Sequence, residues 1–150
     1  MMRRALRLAA LSAAAALLGG CQHRTLDGIV RVTGAAPFVE VLLLPSGGGK
    51  GIPLTGPPAL SRVVGLEIAA VGQDEAGKFR VERFNVIAAN GIPATDGRLV
   101  QDGDRFQVVT EGGARHTLVS PPPGLRSHVG RRVWVSGPLD REPVAYGVIE

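Results

Sequence analysis

Apolar residues in this chain form one long block followed by short alternating runs. The block, Leu8 to Leu18, holds a single Ser and follows the basic stretch Met1-Met2-Arg3-Arg4-Ala5-Leu6-Arg7. It is too short to span a hydrocarbon core ~30 Å thick, which takes roughly 20 apolar residues. Its proportions are those of a secretory signal, so residues 1–20 read as a helical signal peptide outside the fold. Downstream, the patterning predicts strands at Ile29–Thr33, Phe38–Leu44, Ile52–Leu54, Leu66–Val71 and Lys78–Ile87. Turn chemistry separates them at Ser46-Gly47-Gly48-Gly49, at Gly56-Pro57-Pro58 and from Gly72 to Gly77. No window beyond the block sustains a helical period for three turns. Only Pro58–Val64 and Pro123–Val129 can form a helical turn or two, each starting after prolines.

The pattern repeats. With an offset of 65, Pro57, Pro58, Leu60, Val64, Gly65 and Gly72 fall on identical residues of the segment Pro122 to Gly137. Ile68 and Ala70 fall on Val133 and Val135. Asp27-Gly28 corresponds to Asp96-Gly97, Phe38 to Phe106, and Phe84-Asn85-Val86-Ile87 to Tyr146-Gly147-Val148-Ile149. The drifts in offset fall in loops, where insertions are tolerated. Five strands with a helical element between the third and fourth is the order of an OB-fold, a small, partly open Greek-key barrel. The expected fold is therefore all-β: two tandem OB-like five-stranded small barrels, at 27–91 and 92–150. Residues 21–26 form a tether, and Ile87 to Ala94 connects the units. One larger continuous barrel or sandwich is the alternative architecture.

Composition narrows the chemistry. The single cysteine excludes an internal disulfide and multi-cysteine metal centres, and three histidines leave little for any other metal site. The whole chain carries 17 basic and 13 acidic side chains. Removal of Arg3, Arg4 and Arg7 with the signal leaves 14 basic against 13 acidic, with no strong positive cluster. Nucleic acid is therefore disfavoured as a partner.

Leu18-Gly19-Gly20-Cys21 resembles a bacterial lipobox, an aliphatic residue and two small ones before a cysteine. The resemblance implies cleavage before Cys21, lipidation of its thiol and attachment to a membrane through that lipid. A chance thiol after an ordinary signal, or an uncleaved anchor, are the competing readings. Gln22 stands where an Asp would, by the enteric rule, retain the protein at the inner membrane. The expected location is the periplasmic face of the outer membrane. The segments Asp96 to Val100, Phe106 to Thr110, Thr117 to Val119 and Leu125 to Gly137 are similar to small exported bacterial domains of OB type. That resemblance covers about 45 residues well, implies fold and export, and implies no reaction, because these domains are largely of unknown function.

No residue pattern points to catalysis. Ser46-Gly47-Gly48-Gly49-Lys50-Gly51 fails as a phosphate loop, since Leu44 stands at the first glycine position and Gly51 replaces the magnesium-binding hydroxyl. His116 and His128 lack metal-ligand spacing, no G-x-S-x-G elbow occurs, and Asp102 and Asp104 flank a turn at Gly103. The expectation is thus a non-enzymatic, lipid-anchored envelope module for binding or scaffolding, without cofactor or metal. An envelope protein or glycan is its possible partner. A ligand-specific OB-type binder of oligosaccharide or peptide is the alternative, and an enzyme without a recognisable motif ranks below it. Trp134 is the residue whose size exceeds its structural need. It either anchors the two units or offers a stacking platform with Tyr146, Arg132 and Arg98.

Overall fold

The computed structural model describes residues 22–150, so the expected signal peptide and Cys21 lie outside the described residues. The described residues are all-β, with ten strands hydrogen-bonded into one sheet. β1 (Arg24–Thr33), β2 (Glu40–Pro45), β3 (Ile52–Thr55), β4 (Leu66–Glu75) and β5 (Lys78–Ala89) make up the first half. β6 (Ile92–Asp102), β7 (Arg105–Val109), β8 (Arg115–Leu118), β9 (Arg132–Ser136) and β10 (Ala145–Val148) make up the second. A 3-10 turn at Pro58–Arg62 separates β3 from β4, and an α-helical turn at Pro123–Arg126 separates β8 from β9.

The first half closes a circuit of pairings. β1 pairs with β2, β2 with β3, β3 with β5, β5 with β4 and β4 again with β1. Among the described strands, only the β3–β5 pair is parallel. The second half follows the same path, β8–β7–β6–β9–β10, without a pairing between β8 and β10 among the described strands.

The registers of the two halves coincide residue by residue. Gly28 lies opposite Ile68 and Ile29 opposite Glu67. Likewise Gly97 lies opposite Val133 and Arg98 opposite Arg132. Ala69 pairs with Asn85 as Trp134 pairs with Gly147. The Gly65 N–H donates to the Val30 carbonyl at 2.8 Å, and the Gly130 N–H to the Leu99 carbonyl at 2.7 Å. Both glycines sit at positive φ, +88° and +87°, just ahead of the fourth strand of their half. Leu60 and Leu125, from the two helical turns, are buried in the two hydrophobic clusters.

Three expectations need correction. Phe38 does not correspond to Phe106: register places Val41 there, and Phe38 stands outside β2, 82% exposed. Arg24 to Leu26 are strand rather than tether, because their backbone pairs with Ala70 to Gly72 of β4. Gly72 is not a breaker, since β4 runs on to Glu75 with a register shift between Val71 and Gly72. The connector from Ile87 to Ala94 takes the form of a tight hairpin. Asn90 and Gly91 both take positive φ, the signature of a two-residue turn, and Ala88 and Ala89 pair with Pro93 and Ile92.

The burial follows the strand alternation. Val30, Leu43, Ile68, Phe79 and Phe84 centre the first cluster, and Leu99, Val108, Leu125, Val133 and Val135 the second. Ile149, just past β10, packs into the first cluster. Gly28 and Gly97 sit where β1 and β6 cross closest to the next strand. A Cβ on Gly97 would lie 2.3 Å from the Val109 carbonyl oxygen, and one on Gly28 would lie 2.3 Å from that of Leu44. Gly97→Ala should therefore cost about 2–3 kcal/mol, the upper range for an overpacked site. Gly65→Ala, with open space but positive φ, should cost about 1 kcal/mol. Urea melts of the two variants should keep that order.

Candidate functional site

The junction between the halves is built on one carboxylate. Asp96 lies on β6, one residue before the close crossing at Gly97, and is 7% exposed. Its Oδ1 accepts a hydrogen bond from Arg132 Nε at 2.9 Å, and its Oδ2 one from Arg132 Nη2 at 2.8 Å. The Oδ2 also accepts the Val86 backbone N–H at 2.8 Å. Arg132 Nη2 in turn donates to the Phe84 carbonyl, and the guanidinium sits 4.7 Å from the Phe84 ring centroid. A planar guanidinium fits this arrangement, because it meets a carboxylate with two parallel bonds and an aromatic face at once. Asp96 and Arg132 come from the second half, while Val86 and Phe84 come from β5 of the first. The pair thus ties the halves together.

Beside this pair opens a cleft of about 540 Å³. Arg83, Phe84 and Asn85 form its wall from β5, and Asp96, Arg98 and Val100 its wall from β6. Val109, Thr110, Glu111 and Arg115 supply the β7–β8 side, and Arg132 and Glu150 the remainder. A second depression of about 410 Å³ shares Asn85, Asp96, Thr110 and Glu111 and reaches His116. Arg83, Arg98 and Arg115 are exposed and have no carboxylate partner among the described residues. Arg98 donates to the Gly130 carbonyl and Arg115 to Gln107 Oε1 at 3.1 Å, which orients both side chains. Glu111 and Glu150 add carboxylate acceptors. The cleft can therefore grip a ligand carrying both anionic groups and hydroxyls.

The four residues singled out from sequence separate into two places. Arg98 and Arg132 line the cleft. Trp134 is half-buried and packs against the first half's cluster, with its ring over Gly147, where a Cβ would lie 2.6 Å from Nε1. Tyr146 packs on the second cluster, and its hydroxyl covers Gly124. Trp134 lies on the same side of the sheet as Arg132 and Arg98 but outside the cleft lining, and Tyr146, opposite Val135, lies on the core side. Sequence reasoning missed Asp96, Arg83, Arg115 and Glu111 as lining residues. The repeat carried a signal for the first: the offset of 65 sets Arg132 against Glu67, so Asp27 lies diagonal to an acid in one half and Asp96 to a base in the other. No comparable signal marked Arg83 or Arg115.

Among the described residues, no group of three or more His, Cys, Asp or Glu could hold a metal ion. No helix among them is long and apolar enough to cross a membrane. No protein-family model matches the chain, and none of the curated proteins compared with it matches it significantly.

Two stability outcomes follow from this geometry. Arg132→Met leaves the Asp96 carboxylate buried without its cation and should cost roughly 3–5 kcal/mol. Asp96→Leu in the same chain should restore part of that loss, and a double-mutant cycle by denaturant melts measures the coupling. Trp134→Ala removes a large side chain from between the halves and should cost about 3 kcal/mol. Its denaturation midpoint should fall, whereas a platform free of the core would leave the midpoint unchanged.

Proposed function

We propose that this is a lipid-anchored cell-envelope protein of two OB-like units, acting as a non-catalytic binding or scaffolding module. The closed β1–β2–β3–β5–β4 circuit, with its parallel β3–β5 pair and interposed helical turn, supports an OB-like reading of the first half. The matching registers support a second unit derived from the same sequence by duplication. The observation that carries the functional reading is the junction cleft, where Arg83, Arg98 and Arg115 converge without ion-pair partners among the described residues. Concave sites with a few convergent polar groups are where ligands bind. An acidic oligosaccharide or peptide of the envelope fits those guanidinium groups, and the near-balance of charge over the mature chain disfavours nucleic acid.

Glycan and peptide arrays probed with residues 22–150 should return acidic ligands. Arg83→Ala with Arg115→Ala should weaken those hits at least ~10-fold, equivalent to ~1.4 kcal/mol, without moving the melting midpoint. Hits that survive the double variant would place the ligand elsewhere. The anchor has its own test: Cys21→Ser should abolish incorporation of labelled palmitate, and equal labelling of variant and parent would refute it.

A further inference from the structure

We propose that the β1–β2 loop, Gly34–Val39, dips into the surface of the bilayer that holds the lipid on Cys21. This rests on the lipid-anchor reading above. From Val32 to Val39 the chain carries no charged residue. Phe38 is 82% exposed, Val39 54% and Val32 47%, a cluster of apolar side chains at one hairpin tip. The tip has a fixed shape. Phe38 N–H donates to the Ala35 carbonyl at 2.7 Å. Gly34 takes φ +87°, and a Cβ there would lie 2.0 Å from the Phe38 carbonyl oxygen. The loop is therefore held in a conformation that presents Phe38 to the outside.

The described residues begin beside the β4–β5 hairpin, which in turn touches the base of the loop. β1 pairs with β4 through Arg24–Ile29 and with β2 through Gly28–Thr33. Arg24 bonds Asp74 at 2.7 Å and lies over the Phe79 ring. Phe79 pairs with Leu54, and Leu54 with Val41, two strand spacings or about 10 Å in all. Lys78, beside Phe79, reaches Glu40 at 3.3 Å, and Glu40 directly follows Phe38-Val39. Only Gln22 and His23 separate Cys21 from Arg24, a reach of about 10 Å fully extended. His23 is itself held by Glu82 at 2.9 Å. A lipid on Cys21 would thus press this end, and the Phe38 loop with it, against the bilayer.

The charges around the loop select the kind of contact. Arg24–Asp74, Lys78–Glu40 and Arg80–Glu75 pair acid with base, leaving Arg31, beside Val32, as the one unpaired cation near the loop among the described residues, too little to hold an anionic surface. The contact is apolar insertion at the interface, not attraction to anionic headgroups.

The test uses the lipidated full chain in phosphatidylcholine vesicles with brominated acyl chains, with Phe38→Trp compared against Lys50→Trp. Lys50 lies on the β2–β3 loop, at the other end of β2. Relative to the parent, the emission added by Phe38→Trp should be quenched at least twofold, and that added by Lys50→Trp should not. Adding one-fifth phosphatidylglycerol should leave both values unchanged. An unquenched Phe38→Trp in a chain that incorporates palmitate overturns the insertion and leaves the anchor standing. Absence of palmitate incorporation overturns both. If the unquenched loop instead makes residues 22–150 dimerise in sedimentation, with Phe38→Ser restoring the monomer, the face binds a second copy and the proposal is wrong.

Discussion

A carboxylate removed from water has to be met by donors of the right geometry, and the join between the two halves is organised around meeting the Asp96 carboxylate. Arg132 supplies two parallel bonds from the same half and Val86 supplies a third from across the junction, so both oxygens have partners and one of them is tied to the other half. The Phe84 ring and carbonyl then hold the guanidinium in place. The interaction is asymmetric in energy. Substituting apolar groups for both partners can be neutral, whereas removing one strands the other. The pair therefore does more to fix how the halves meet than to add stability. It also forms a wall of the cleft, so the same constraint that orients the halves orients the candidate ligand site.

The repeat explains why such a join is needed. Both halves use the same pairing order, yet the first closes its circuit through β3–β5 and has the larger buried cluster. In the second, β8 and β10 do not pair with each other among the described strands, and just beyond β8 the Val119 N–H bonds the Leu139 carbonyl instead. Its cluster of Leu99, Val108, Leu118, Leu125, Val133 and Val135 is small for independent stability. Ile149 and Trp134 lend their apolar surface to the first cluster, and the Asn90-Gly91 hairpin runs the backbone ladder from one half into the other. The position equivalent to Trp134 is Ala69, where no partner has to be reached.

Much of this was legible in the sequence, for physical reasons. Strand alternation marked Val133 and Val135 as one buried face, and the L-x-x-x-x-G step marked Leu125 and Gly130 because a plug and a left-handed residue leave few substitutes. The failures are equally specific. Phe38 was matched to Phe106 on residue type, but the β1–β2 loop is longer than its counterpart and carries the aromatic outside the strand. Asn90-Gly91 was overlooked although that dipeptide is a strong hairpin signal. The cleft was not legible because Arg83, Arg98 and Arg115 come from three strands, and only tertiary pairing brings them together. Asp96 was visible as half of a repeat match, but its role depends on Arg132 replacing an acid 36 residues away.

The central claim is that the Asp96–Arg132 junction makes the two halves one cooperative unit. Scanning calorimetry of residues 22–150 tests it most directly. One transition whose calorimetric enthalpy equals its van't Hoff enthalpy is the predicted result. In Arg132→Met that transition should split or broaden, the second half melting first. Two resolved transitions in the parent chain would contradict the account.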